Sequence, residues 1–152
     1  MDAEELLRRY NAGERDFSGV NLIGVNLSGL NLSEINLTNA NLEESNLVGV
    51  NLRGAYLRGA ILYGSGLLDA DLTEADLRDT VLENANFRSA NLKGAIVDDA
   101  IKDAVLEDTI MPDGQLVTLS RKEDARLNYG LGNHSRGIAV SLHRWGARFS
   151  RN

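Results

Sequence analysis

From Phe17 to Val97 an apolar residue recurs at every fifth position without a break: Phe17, Leu22, Leu27 and so on through Leu82, Phe87, Leu92 and Val97. A second column lies two residues before each position of the first from Leu22 onward, small or apolar throughout, from Val20 and Val25 to Ala95, and continues to Ala100. Two apolar residues spaced by two share one face of an extended segment. The three residues outside the pair are mostly polar. A helix, advancing about 100° per residue, smears a five-residue period around its whole cylinder. A flat strand sends alternate members of an odd period to opposite faces. The pattern therefore predicts a chain that turns in the same sense after every short extended piece. Bending through about a right angle each time, it closes after four units, giving a twenty-residue coil that stacks on the next at roughly 4.8 Å. Glycine and polar residues after the leucine, as in Ser28-Gly29 and Arg53-Gly54, suit the corners.

The quoted residues resemble the pentapeptide-repeat family, whose pattern Ala-(Asp/Asn)-Leu-x-x is met at Ala40-Asn41-Leu42, Ala70-Asp71-Leu72, Ala75-Asp76-Leu77 and Ala90-Asn91-Leu92. The start, ELLRRYNAGERDFSGVNL, is similar to cyanobacterial members. The resemblance implies an all-β solenoid, a right-handed quadrilateral β-helix. The repeat count predicts about five coils and a rod on the order of 25 Å long. Short helical caps are expected at both ends. The expected division is an N-terminal cap over 1–16, the β-helix over 17–113, and a strand/helix cap with a basic tail over 114–152.

The pattern breaks in two places. Lys102 stands in the leucine column, and the following units, Ala104-Val105-Leu106 and Thr109-Ile110-Met111, fit one residue early, so either one residue is dropped near 102–103 or the last coil is irregular. Pro112-Asp113-Gly114 then ends the repeats. The other break concerns the outward position before each leucine. It is asparagine from Asn21 to Asn51, then Tyr56, Ile61, Gly66, Asp71, Asp76 and Val81. Residues twenty apart stack, so Ile61, Val81 and Ile101 are predicted to form an apolar outer ladder, with Val48 and Leu68 in another column. Such a ladder is either ordinary β-branched packing or a contact patch for a partner, a second copy or the chain's own tail. The candidate patch comprises Tyr56, Ile61, Tyr63, Leu68, Val81 and Ile101.

Open coil ends invite edge-to-edge association, so caps are expected. Asp2-Ala-Glu-Glu5, followed by Leu6, Leu7 and Tyr10, predicts a helix over about 3–11 with Gly13 as its stop. Ser120-Arg-Lys-Glu123 predicts a second helix over about 121–128, stopped by Gly130, after an extended stretch from Gln115 to Leu119. Beyond it, Ile138, Leu142, Trp145 and Phe149 fall at helical spacing with Arg144, Arg148 and Arg151 on another side, a candidate tail contact. Gly137 and Gly146 weaken that helix. A segment of this kind stays loose, packs on the rod or a second copy, or binds a membrane surface.

Net charge is −6, but it is unevenly spread. Residues 61–113 carry twelve acids and four bases, whereas 114–152 carry two acids and seven bases. The acidic stretch either solubilises the rod or attracts a basic groove, and the tail offers it a partner within one chain or across two. There is no cysteine, which removes disulfides and thiol chemistry. His134 and His143 both lie in the tail, away from acid clusters. No catalytic pair, metal-ligand spacing or dinucleotide motif is present, so no enzyme activity, cofactor, metal or small-molecule substrate is expected. The charged start lacks the apolar run of a signal peptide, and a cytoplasmic protein is expected. Three Asn-Leu-Ser/Thr sequons are by-products of the repeat. The expected function is a non-enzymatic interaction or scaffold protein with an unidentified protein partner and self-association through a coil end or the tail. Nucleic acid and membranes are not expected ligands. The resemblance supplies an alternative, since some family members mimic DNA and bind type II topoisomerases such as gyrase.

Overall fold

The computed structural model describes residues 1–118. Parallel bridges join residues twenty apart in four columns that begin at Asp16, Asn21, Asn26 and Asn31. One column runs Asp16, Asn36, Tyr56, Asp76, Ile96, and the next runs Asn21, Asn41, Ile61, Val81. The four columns are the four faces of a square solenoid, numbered here in that order. All the leucines of the five-residue repeat are buried, and with Phe17, Phe87, Val97 and the small residues beside them they form one continuous core. Burial of each large side chain contributes roughly 1.5–3 kcal/mol. Hydroxyls in the small column find partners inside: Ser45 and Ser65 donate to the carbonyls of Leu42 and Leu62 at 2.7 Å, and Thr109 donates to Phe87 at 2.6 Å.

The five-residue unit accounts for every one of its backbone N–H groups, which is why it repeats so strictly. In the unit around Leu47, Asn46 N donates to Val25 O in the coil before (3.0 Å), and Leu47 N and Gly49 N donate to Gly66 O and Leu68 O in the coil after (2.7 and 2.8 Å). Val50 N closes the corner onto Leu47 O at 3.1 Å. The remaining donor, Val48 N, is taken by the Asn46 side chain at 3.1 Å. The asparagine column is thus a column of Asx turns. Asn26, Asn31, Asn51, Asn86 and Asn91 repeat the bond, and Asp71 and Asp76 make it with a carboxylate. The second corner residue sits at positive φ, as a type II turn requires. Glycine fills it at Gly49 and Gly54, while Glu34, Asn39 and Asp69 adopt the same left-handed geometry. Replacing Asn46 with alanine is expected to cost about 0.5–1.5 kcal/mol, the usual loss for one hydrogen bond. Ile61→Asn, which supplies a missing Asx acceptor, is expected to be neutral or stabilising; paired thermal melts check both.

At the N-terminus, helix α1 spans Ala3–Asn11, with the Asp2 side chain accepting from Glu5 N at 2.8 Å. Glu5 does not return to the cap; it pairs with Arg8. Leu6 and Tyr10, one turn apart, enter the core cluster, and the Tyr10 hydroxyl donates to Ser33 O at 2.9 Å. Gly13 follows at φ +98°, the stop its position predicted.

The repeat's break is a change of coil length. Bridges twenty apart hold to Asp76–Ile96, then become nineteen apart at Asn86–Val105 and Asn91–Ile110. A 3-10 helix, Asp99–Asp103, takes the missing corner. This corrects one predicted position: Ile101 is only 2% exposed and belongs to the core, not to the outer ladder. The cause is Lys102, whose ammonium cannot enter the shaft. It turns outward to Asp99 at 2.9 Å, and the tightened backbone carries its neighbour inside. Beyond the corner, short strands β1 (Thr109–Ile110) and β2 (Leu116–Val117) pair antiparallel. The predicted helix at 121–128 lies outside the described residues.

Candidate interaction surface

The shaft is filled, so the chemistry available to partners lies on the outer walls. The structure divides the predicted patch. Ile61 and Tyr63 flank Leu62 on the second face, and Val81 bridges to Ile61 from the next coil. Tyr63 is 37% and Val81 39% exposed. Tyr56, 57% exposed, stands on the first face below Asp76 and Ile96. Leu68, half-buried, stands on the third, one coil above Val48. Ile138, Leu142, Trp145 and Phe149 lie outside the described residues.

Sequence reasoning overlooked Ile23, 48% exposed on the second face, and Ile96 on the first. Both had a signal: isoleucine at positions that the repeat fills mostly with polar residues.

Tyr56, Ile61, Val81 and Ile96 share a cost that the sequence did not reveal. Each stands where an asparagine or aspartate closes an Asx turn elsewhere. Among the described residues, no hydrogen-bond partner meets the amides of Arg58, Tyr63, Glu83 and Asp98 that such a side chain accepts. At these positions the chain gives up a local bond for an outward apolar side chain, exposed at Tyr56, Val81 and Ile96 and half-buried at Ile61, the kind of departure expected of contact sites.

Charge sorts the faces further. The first carries Arg58 and Arg78, the third Arg88, the fourth Arg53 and Lys93. Four of these bases are neutralised in place: Arg58 by Asp79 (2.9 Å), Arg78 by Asp76 (2.6 Å), Arg88 by Glu107 (2.8 Å) and Arg53 by Asp71 (3.5 Å). The Arg78 hydrogen bonds, working against burial, hold the Asp76 carboxyl below its ordinary range. Burial pushes Asp71 upward, but the Thr73 hydroxyl and amide and the nearby Arg53 outweigh it, and the net shift is downward. The second face carries no arginine or lysine over 21–24, 41–44, 61–64 and 81–84, and in the coil beyond, Lys102 is turned to Asp99. It holds Glu43, Glu44 and Glu83, and no arginine or lysine among the described residues forms an ion pair with them. Tyr63 stands between two of them: Glu44 N donates to Tyr63 O and Gly64 N to Glu83 O, which places Glu43, Tyr63 and Glu83 in one column.

A square β-solenoid with a filled shaft and patterned walls is a repeat protein whose variable positions are all external. Pentapeptide repeats match in eight copies over residues 16–54, 35–67 and 67–101, and the chain belongs to the pentapeptide repeat family. Its fold is therefore a right-handed β-helix solenoid, and proteins of this family are in general structural and interaction proteins. A pentapeptide repeat protein of the cyanobacterium Nostoc PCC 7120 is 37% identical, over 65% of this chain and 82% of that one, with a TM-score of 0.64. A second, from the Arabidopsis thaliana thylakoid lumen, is 26% identical over 81% of this chain and 89% of that one, with a TM-score of 0.59. No curated protein matches the chain. Among the described residues, no helix is long and apolar enough to cross a membrane.

Proposed function

We propose that the protein is a non-enzymatic scaffold that binds a protein partner in the cytoplasm through the second face of its solenoid. α1 acts as the cap of a rod of about five coils. The observation that carries this reading is the composition of that face: exposed Ile23, Tyr63 and Val81 beside three carboxylates without a base, with Asx turns forgone at Ile61 and Val81. Apolar residues in a charged surround favour association, and the uncompensated acids select a basic partner.

The DNA-mimicking, gyrase-binding alternative draws on the excess of acids over 61–113. It asks for a continuous negative field. Arginines neutralise Asp71, Asp76, Asp79 and Glu107 on the other three faces, so the scaffold reading is favoured.

Affinity capture from the native cell is the test. The wild-type chain is expected to retain a partner that the Ile61→Ser/Val81→Ser variant loses with its melting curve unchanged. Equal retention by both removes the second face from the proposal.

A further inference from the structure

The chemistry of the second face suits an occupant that is apolar along one side and basic along another. The chain carries one. Residues 131–152 contain four arginines and no aspartate or glutamate, and they place Ile138, Leu142, Trp145 and Phe149 at spacings of four, three and four. The described residues end at Thr118, just after β2. The twenty residues from there to Ile138 span up to about 65 Å when extended, more than the length of a rod of roughly 25 Å.

We propose that this C-terminal segment docks on the second face of its own rod and competes there with outside partners. The inference rests on the reading of that face as the rod's contact surface. Two features favour the face. Its three glutamates, Glu43, Glu44 and Glu83, are held by no arginine or lysine among the described residues, so the tail's arginines meet carboxylates whose charge no ion pair cancels. Three apolar residues also meet there in adjacent coils, Ile61 beneath Val81 with Tyr63 alongside, against the pair Val48 and Leu68 on the third face. On the first, third and fourth faces several carboxylates are already held by Arg58, Arg78, Arg88 and Arg53, which leaves less uncancelled charge for the tail's arginines to meet. Charge complementarity of this kind sets register as well as attraction. A docked tail makes partner binding conditional: whatever draws the tail away uncovers the face.

Trp145 is the only tryptophan in the chain, so its fluorescence reports on the tail alone. In the full-length protein its emission is expected to be blue-shifted and shielded from acrylamide, independent of protein concentration. The outward-facing double substitution Ile61→Arg/Val81→Arg is expected to return emission to that of exposed tryptophan. It should also speed tryptic cleavage at the tail arginines by about tenfold or more, equivalent to at least ~1.4 kcal/mol of docking. Val48→Arg, on the third face, leaves both readings as in the wild type, and unchanged far-UV circular dichroism confirms that the shafts remain intact. Exposed-type emission in the wild type overturns the proposal, as does a shift that the double substitution does not reverse. So does shielding that develops only with rising protein concentration or only on adding anionic vesicles. Tail docking is read without any partner, so a chain cut after Gly130 that still captures nothing counts against the scaffold reading alone.

Discussion

Replacing Leu52 with lysine is expected to abolish cooperative folding. Leu52 is fully buried in the middle of the shaft, in the column that runs Leu32, Leu52, Leu72, Leu92. Removing a leucine side chain from such a site costs about 2–5 kcal/mol, and an unpaired buried ammonium adds several more. Together these approach or exceed the whole stability of a typical domain, about 5–15 kcal/mol. The molecule contains its own control. Lys102 already occupies the leucine register, and the chain accommodates it only by leaving the repeat: one residue is lost from the coil and a 3-10 helix swings the lysine out to Asp99. That escape is open near the end of the solenoid and closed at Leu52. There the backbone is bonded on both sides, with Asn51 N donating to Leu30 O at 2.9 Å and Leu52 N to Asp71 O at 2.7 Å. Leu52→Met, which keeps the volume, should cost less than about 1.5 kcal/mol. Circular dichroism melts decide the matter: a lysine variant melting cooperatively near the wild-type temperature would mean that the interior is not a dry stack.

Deleting residues 1–13 is expected to make the rod associate end to end. In every later coil the carbonyl before the leucine accepts a bond from the coil below, as Asn41 O does from Leu22 N. The first coil has none below it. Asn21 O is instead taken by the Met1 ammonium at 3.1 Å, and α1 lies against the apolar end with Leu6 and Tyr10 buried. Removing the helix forfeits roughly 3–6 kcal/mol from these two side chains and leaves the apolar first layer, which includes Phe17, Val20, Val25 and Leu30, without its cover. An exposed β edge with a greasy end templates addition of another chain. Light scattering after size exclusion should show oligomers that grow with concentration; a truncated chain that stays monomeric and keeps its melting temperature would show that α1 is dispensable.

The walls differ from the shaft in how much the primary structure reveals of them. A period of five is incompatible with helix and flat strand alike, so the repeat alone dictates a square coil of twenty residues, inward leucines, and the register slip after Lys102. Capping residues beside an apolar stripe likewise define α1. These are local rules, read from spacing and the chemistry of single residues. Three things required the folded chain. The asparagine column proved to be a set of Asx turns because only the corner geometry brings each side chain to the amide two residues on, as Asn46 is brought to Val48. Ile101 moved inside because tightening one corner rotated it away from the face its register implied. The isolation of Glu43, Glu44 and Glu83 emerged only when residues twenty apart were brought side by side, which paired most of the rod's arginines with acids on the other walls. Spacing along a chain fixes which way a residue points, whereas the neighbour it meets across coils depends on how the coils stack.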